Sequence, residues 1–132
     1  MSGRTAPPTG WPAPTVAQLA GAPVELTPLA SEVADRYFAR HPEDLERYGA
    51  DVARAWELHD TLHLLNWAIG DVEGFVVLDE QVGWLADVLA ARDFPLDHLA
   101  DNLEIAADVA EQRVAAPVAE RLRAAAALVR AR

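Results

Sequence analysis

Cysteine and lysine are both absent from this 132-residue chain. Without cysteine, the chain forms no disulfide, no thiolate zinc site and no cysteine nucleophile. Zinc bound through histidine and aspartate remains compatible with the composition. All eleven basic residues are arginines, which together with the many alanines is typical of a GC-rich bacterial genome.

Long apolar runs and glycine-rich loops are missing as well. No stretch approaches the roughly 20 consecutive apolar residues that span a bilayer. The first residues also lack the charged and apolar regions of a signal peptide. We therefore expect a cytoplasmic protein with no membrane partner. The lack of a glycine-rich phosphate loop argues against the common nucleotide-binding folds.

Acidic residues outnumber basic ones by 21 to 11, which gives a net charge of −10. Residues 41–111 carry 17 acidic and three basic side chains, whereas residues 112–132 carry five arginines and one glutamate. Because an acidic body repels phosphate, we expect no nucleic-acid partner. The basic end is predicted to pair with the acidic body of its own chain or of a neighbouring copy.

Hydrophobic periodicity predicts an all-α protein, since strand-like alternation is not apparent. We expect a single-domain bundle or globin-like array of five to six helices around a central buried helix at about 50–69. Residues 1–25 are predicted to be a largely disordered or extended leader with one helical turn at 15–20, and residues 26–132 a single helical domain.

The predicted helices have apolar stripes at helical spacing, which should face the core. These stripes are Leu29, Val33 and Tyr37; Phe75, Leu78, Val82, Leu85 and Leu89; Leu96, Leu99, Leu103, Ala106 and Ala110; and Val118, Leu122, Ala125 and Val129. A helix from about 72 to 92 is expected to follow the central one, with Asp71 as its cap. The polar face of the next helix, which includes His98, Asp101 and Asn102, is predicted to be solvated.

The central helix carries the strongest functional signal. Trp56, Asp60, His63 and Trp67 fall on one face of it, with His59 beside them, while leucines occupy the opposite face. A helix that is apolar on both sides is buried on both sides, so its polar groups line a pocket or are satisfied in the interior. The leading hypothesis is a binding or sensory module for a small ligand, with a flat apolar molecule as one candidate. Its pocket residues are Trp56, His59, Asp60, His63 and Trp67, with Trp84 and Tyr37 as candidates for the opposite wall.

Two other functions fit the same residues. One is a small enzyme that uses His59, Asp60 or His63, with or without a metal on Asp60 and His63, whose i, i+3 spacing allows a shared ion. The other is a homodimeric interaction or accessory protein, because the two helices at 50–69 and 72–92 carry more apolar surface than one small bundle needs. Alternatively, these polar side chains form no functional site, and Asp60 is hydrogen-bonded to a histidine or to the backbone inside the core.

Two family resemblances add expectations. Gly70-Asp71, the run from Val88 to Leu99 and the run from Ile105 to Val109 resemble the helical cap that precedes the corrinoid domain of cobalamin-binding proteins. The segment from Leu29 to Tyr48 looks like the first helices of bacterial globin-like sensor domains. These resemblances imply a helical sensor with a corrinoid or tetrapyrrole cofactor, with His63 or His98 facing a haem.

Overall fold

The computed structural model describes residues 12–132, so the first eleven residues of the predicted leader lie outside the described part. The described chain is predominantly helical, which confirms the predicted fold class. In chain order its elements are β1 (Val16–Leu19), β2 (Ala22–Glu25), α1 (Leu26–Arg40), α2 (Pro42–Tyr48), α3 (Ala50–Val72), α4 (Leu78–Ala91), α5 (Leu96–Arg113) and α6 (Ala116–Arg130).

The two short strands form an antiparallel hairpin in which Val16 pairs with Glu25. Ala20 and Gly21 turn the chain between them, both at positive φ, as a tight hairpin turn of this kind requires. The predicted helical turn at 15–20 is therefore wrong, because this turn and the strand pairing outweigh the weak local helical preference. Ala17 is buried, and β1 packs against α3, so the hairpin covers part of the helical core.

Helix α3 lies at the centre of the fold, as predicted, and contacts each of the other five helices. Its fully buried side includes Thr61, Leu64, Leu65 and Ala68. The helix continues two residues beyond Gly70, where the sequence predicted its end. It therefore provides one rigid element against which α1, α2 and α5 position the candidate site.

Helix α4 begins at Leu78, later than predicted, because residues 73–77 form a turn with Gly74 at a φ of 84°. The N-cap is Val77 and not Asp71 as predicted, although Asp71 Oδ2 accepts a hydrogen bond from the Leu78 N–H at 2.8 Å from within α3. The predicted inward residues Leu78, Val82, Leu85 and Leu89 are buried. Phe75 was predicted to join them, but it precedes the helix and is 84% exposed.

Helices α5 and α6 share the most extensive interface in the fold. The predicted stripes of both helices are buried, except Leu96 in the first turn of α5, which is half-buried. The arginines of the C-terminal segment bind acidic residues of the same chain, which confirms the own-chain form of that prediction. Four of the five arginines pair with the acidic body, Arg121 with Asp71, Arg123 with Asp108 and Glu111, Arg130 with Asp101 and Glu104, and Arg132 with Asp87, while Arg113 pairs with Glu32 of α1. Among residues 12–132, no helix has the length and apolar character needed to cross a membrane.

Candidate functional site

The predicted aromatic and histidine residues of α3 form a continuous ladder along one side of the helix. The ring centroids lie 5.4 Å apart for Trp56 and His59, 4.8 Å for His59 and His63, and 5.5 Å for His63 and Trp67. All four side chains are half-buried. Burial lowers the pKa of His63, and the neighbouring charge of His59 lowers it further. The ladder therefore lies on a partly exposed side of α3 and not on its fully buried side.

A cavity of about 40 Å³ lies between α1, α2 and α3, beside the loop that leads into α5. Its lining consists mainly of aromatic and acidic side chains: Tyr37, Phe38, Asp44, Tyr48, Ala53, Trp56, Glu57, Asp60 and Phe94. A second cavity of about 20 Å³ shares four of these residues and extends to His98 and Asn102. At about one water per 10–15 Å³, the first cavity has room for about three water molecules.

The structure divides the seven predicted pocket residues into two groups. Tyr37, Trp56 and Asp60 line the larger cavity, whereas His59, His63 and Trp67 are not part of its lining. Trp84 is 60% exposed on α4 and forms no opposite wall. Ligand pockets for drug-sized molecules usually occupy about 300–1,000 Å³, so a tetrapyrrole or corrinoid would require these walls to move apart.

Glu57, which the sequence interpretation passed over, lies where the two cavities meet. Burial raises the pKa of its carboxyl group well above the usual value, although the side chain keeps some accessible surface because it faces the cavities. Thr61 donates a hydrogen bond to Glu57 Oε2 at 3.0 Å and accepts one from Asn102 Nδ2 at 3.1 Å. The Asn102 side-chain oxygen is buried and has no hydrogen-bond partner within residues 12–132.

Asn102 had been assigned to a solvated helix face, and this prediction is wrong because the residue is only 4% exposed. Helix α5 is contacted by α1, α3, α4 and α6, so a broader part of its surface is covered than one apolar stripe indicates. His98 and Asp101 from the same face are half-buried. The spacing of His98, Asp101 and Asn102 in the sequence places the three polar side chains on one side of α5. Only the tertiary contacts show that this side faces inward.

Tyr37, Asp44 and His98 form a buried hydrogen-bonded group next to the cavities. Tyr37 donates its hydroxyl hydrogen to Asp44 Oδ2, and His98 Nδ1 lies 3.0 Å from the same oxygen. Burial raises the pKa of Tyr37, and its hydrogen bond to Asp44 raises it further. Tyr37 therefore acts as a neutral donor that helps to hold a carboxyl group only 3% exposed.

His41 and His98 stack on each other with ring centroids 3.9 Å apart and an interplanar angle of 26°. His41 Nε2 lies 2.8 Å from Asp101 Oδ2, while Arg130 donates to the other oxygen of Asp101 at 2.6 Å. Burial would raise the pKa of Asp101, but the hydrogen bonds from Arg130 and His41 outweigh it and lower the pKa. Sequence reasoning treated His41 only as the end of a helix before Pro42, so this pair was missed.

One set of three metal-compatible side chains occurs within residues 12–132, and it differs from the predicted pair of Asp60 and His63. The set consists of His41, Glu43 and His98, with ligand atoms that all lie within 4.8 Å of one another. Glu43 is more than half exposed, so the set opens to solvent beside α2. In contrast, Asp60 approaches His59, with 3.3 Å between Oδ1 and Nδ1.

Comparisons of this chain with protein-family models, with curated proteins and with solved structures find no match.

Proposed function

We propose that this protein is a small-ligand binding or sensory module whose ligand is a small organic cation with an ammonium group. The cavity between α1, α2 and α3 would hold the ligand. The observation that carries the proposal is the composition of its lining, which combines five aromatic side chains with the carboxyl groups of Asp44, Glu57 and Asp60 and, within residues 12–132, includes no arginine or histidine.

Aromatic faces attract cations through their quadrupoles, and carboxylates attract them directly. Asp44 already accepts a hydrogen bond from Tyr37 and approaches His98, and Asp60 approaches His59, so Glu57 is the carboxyl group that would face the ligand. An apolar ligand would displace water from the carboxyl group of Glu57 without offering a counter-charge, at a considerable desolvation cost. The lining therefore favours a cation over the flat apolar molecule considered from the sequence.

The size of the cavity restricts the ligand further. Space for about three water molecules accommodates a molecule of only a few heavy atoms, such as methylammonium or ethanolamine. Because burial keeps Glu57 protonated to a higher pH than usual, binding of a cation would favour loss of this proton. We therefore expect affinity to rise with pH until Glu57 is ionised in the unliganded protein.

Calorimetric titration with methylammonium and ethanolamine would test this proposal, with ethanol and acetate as neutral and anionic controls. Glu57→Gln should abolish binding of the ammonium compounds, while Asp51→Asn, an exposed carboxylate of the same helix, should leave it unchanged. In an NMR spectrum of the tryptophan indole N–H groups, the Trp56 signal should shift and the Trp84 signal should not. Equal binding by Glu57→Gln and the native protein would reject the site.

Homodimeric interaction is the second candidate function, and the exposed side of α4 favours it. Val77 is 53% exposed and Trp84 is 60% exposed, with Gln81 and Val88 at the same helical spacing between and beyond them. A second copy would cover this face through a two-fold axis, in which each side supplies the same residues. Sedimentation equilibrium should then show a dimer that Trp84→Ser dissociates and Leu128→Ser, a change at an exposed leucine of α6, does not. A concentration-independent monomer would reject this candidate.

A further inference from the structure

His41 and His98 converge on one carboxylate from two different elements. His41 precedes α2 and His98 lies in the first turn of α5, so their approach depends on the tertiary fold. His41 Nδ1 lies 3.4 Å from Glu43 Oε2, and His98 Nε2 lies 3.8 Å from the same atom. The ligand atoms of a tetrahedral zinc ion, at bond lengths of about 2.0–2.1 Å, are separated by about 3.4 Å.

The second ring nitrogen of each histidine faces a carboxylate. His41 Nε2 lies 2.8 Å from Asp101 Oδ2, and His98 Nδ1 lies 3.0 Å from Asp44 Oδ2. Histidines that bind metals nearly always donate their other N–H to a carboxylate, a carbonyl or water, which fixes the tautomer and directs the free lone pair to the ion. Here both histidines have such a partner, and both free nitrogens are left on the side of Glu43.

The two orienting carboxylates are themselves held in place. Asp44 accepts the hydroxyl hydrogen of Tyr37. Asp101 accepts a hydrogen bond from Arg130, and Arg40 approaches it at 3.8 Å. Support of this kind, beyond the residues that would touch the ion, fixes the hydrogen-bond acceptor and hence the tautomer of each imidazole, while each ring can still turn about its Cβ–Cγ bond.

From this geometry we infer that His41, Glu43 and His98 form a binding site for a divalent transition-metal ion of the zinc type, with Asp44 and Asp101 as positioning residues. Imidazole nitrogen and carboxylate oxygen are both ordinary zinc ligands. Three protein ligands leave a fourth position, which would face solvent beside the exposed side of Glu43. This inference does not depend on the ammonium-binding proposal, because Glu57 takes no part in it.

The stacked rings define the movement that binding requires. Their planes are only 26° from parallel, so both lone pairs cannot meet one ion until the rings rotate about their Cβ–Cγ bonds. Such a rotation would separate the stacked pair and bring both free nitrogens around Glu43 Oε2. Binding should therefore shift the ring-proton NMR signals of His41 and His98 while the signals of His59 change little.

Titration of the full chain with Zn²⁺ against a chromophoric chelator would test the site. We expect one ion per chain, and we expect Glu43→Gln, which removes a ligand, to weaken affinity by more than the roughly 10–100-fold that loss of an orienting partner costs. Glu43 is 59% exposed, so this variant should fold normally. Glu46→Gln is the matched control, since Glu46 is an exposed glutamate of the same short helix. Asp101→Asn should weaken affinity by about 10–100-fold through the orientation of His41.

A second arm separates this site from the other histidine pair. His59 and His63 are one helical turn apart on α3 and are the competing chelating pair. Replacement of Zn²⁺ by Co²⁺ should give the visible bands of a tetrahedral site, which His98→Gln should abolish and His63→Gln should preserve. Loss of binding in His63→Gln with retention in Glu43→Gln would overturn the inference, as would the absence of a stoichiometric Zn²⁺ site.

Discussion

Replacement of Thr61 by valine tests the hydrogen-bonded chain that links the centre of α3 to α5. Thr61 is fully buried, and its hydroxyl both donates to Glu57 and accepts from Asn102. Valine has nearly the same shape, so Thr61→Val removes the hydroxyl without creating a cavity. The effect should therefore report the hydrogen bonds rather than a change in packing.

The expected loss of stability follows from the partners left behind. An unpaired buried amide N–H on Asn102 costs about 2 kcal/mol, and the lost bond to Glu57 about 1 kcal/mol. The added methyl group returns about 1 kcal/mol of burial free energy. We therefore expect Thr61→Val to lower the free energy of unfolding by about 2 kcal/mol.

Urea denaturation followed by tryptophan fluorescence would measure this change. With an m-value of about 1.5 kcal/mol per molar urea, the midpoint should fall by about 1.3 M. Thr61→Ser, which keeps the hydroxyl, should lose only about 1 kcal/mol, the value of one buried methyl group. Adding Asn102→Leu to Thr61→Val should recover most of the loss, because it removes the unpaired amide. If Thr61→Val unfolds at the midpoint of the native protein, or if the double variant is no better than the single one, the proposed chain does not contribute to stability.

Three further predictions concern groups with shifted pKa values. Because the pKa of Glu57 is higher in the folded than in the unfolded chain, the native protein should lose stability relative to Glu57→Gln as pH rises above about 4.5, and parallel urea midpoints at all pH values would contradict this. The pKa of His63 is lower in the folded than in the unfolded chain. Below about pH 6.5 the unfolded chain therefore binds this proton more readily, and the native protein loses stability. In thermal unfolding, His63→Gln should lose less stability than the native protein between about pH 7 and pH 5. Since the raised pKa of Tyr37 keeps its hydroxyl protonated, the phenolate absorbance of the folded protein at about pH 11 should be the same in Tyr37→Phe and the native protein and should differ only in urea.

The helices were predictable because burial follows their local periodicity. Leu78, Val82, Leu85 and Leu89 repeat at helical spacing and are all buried. Phe75 continues the same spacing, yet it is exposed because it lies in the turn at Gly74, before α4 begins at Leu78. A periodic pattern identifies the face of a helix well, but it does not show where the helix begins.

The site was only partly predictable, for a different reason. Trp56 and Asp60 were identified from one helix, and both line the cavity. His41 and His98 are 57 positions apart in the sequence, and their stacking depends on the tertiary fold. A single sequence contains no pattern that pairs such distant residues, so the interpretation favoured the two histidines that are neighbours on α3.

The arrangement of α5 and α6 also has a consequence for the order of folding. These helices are adjacent in sequence and share the most extensive interface of the fold, and both carry small buried side chains, among them Ala106, Ala110, Ala119 and Ala126, each at most 1% exposed. Contacts between neighbouring segments close short loops and form early, whereas α1 must close a much longer loop to reach α5. We therefore expect the C-terminal helix pair to assemble first and to act as the template on which the earlier part of the chain docks. During synthesis, α1 and α3 would leave the ribosome before this template exists, so their apolar faces would stay uncovered until the last helices follow.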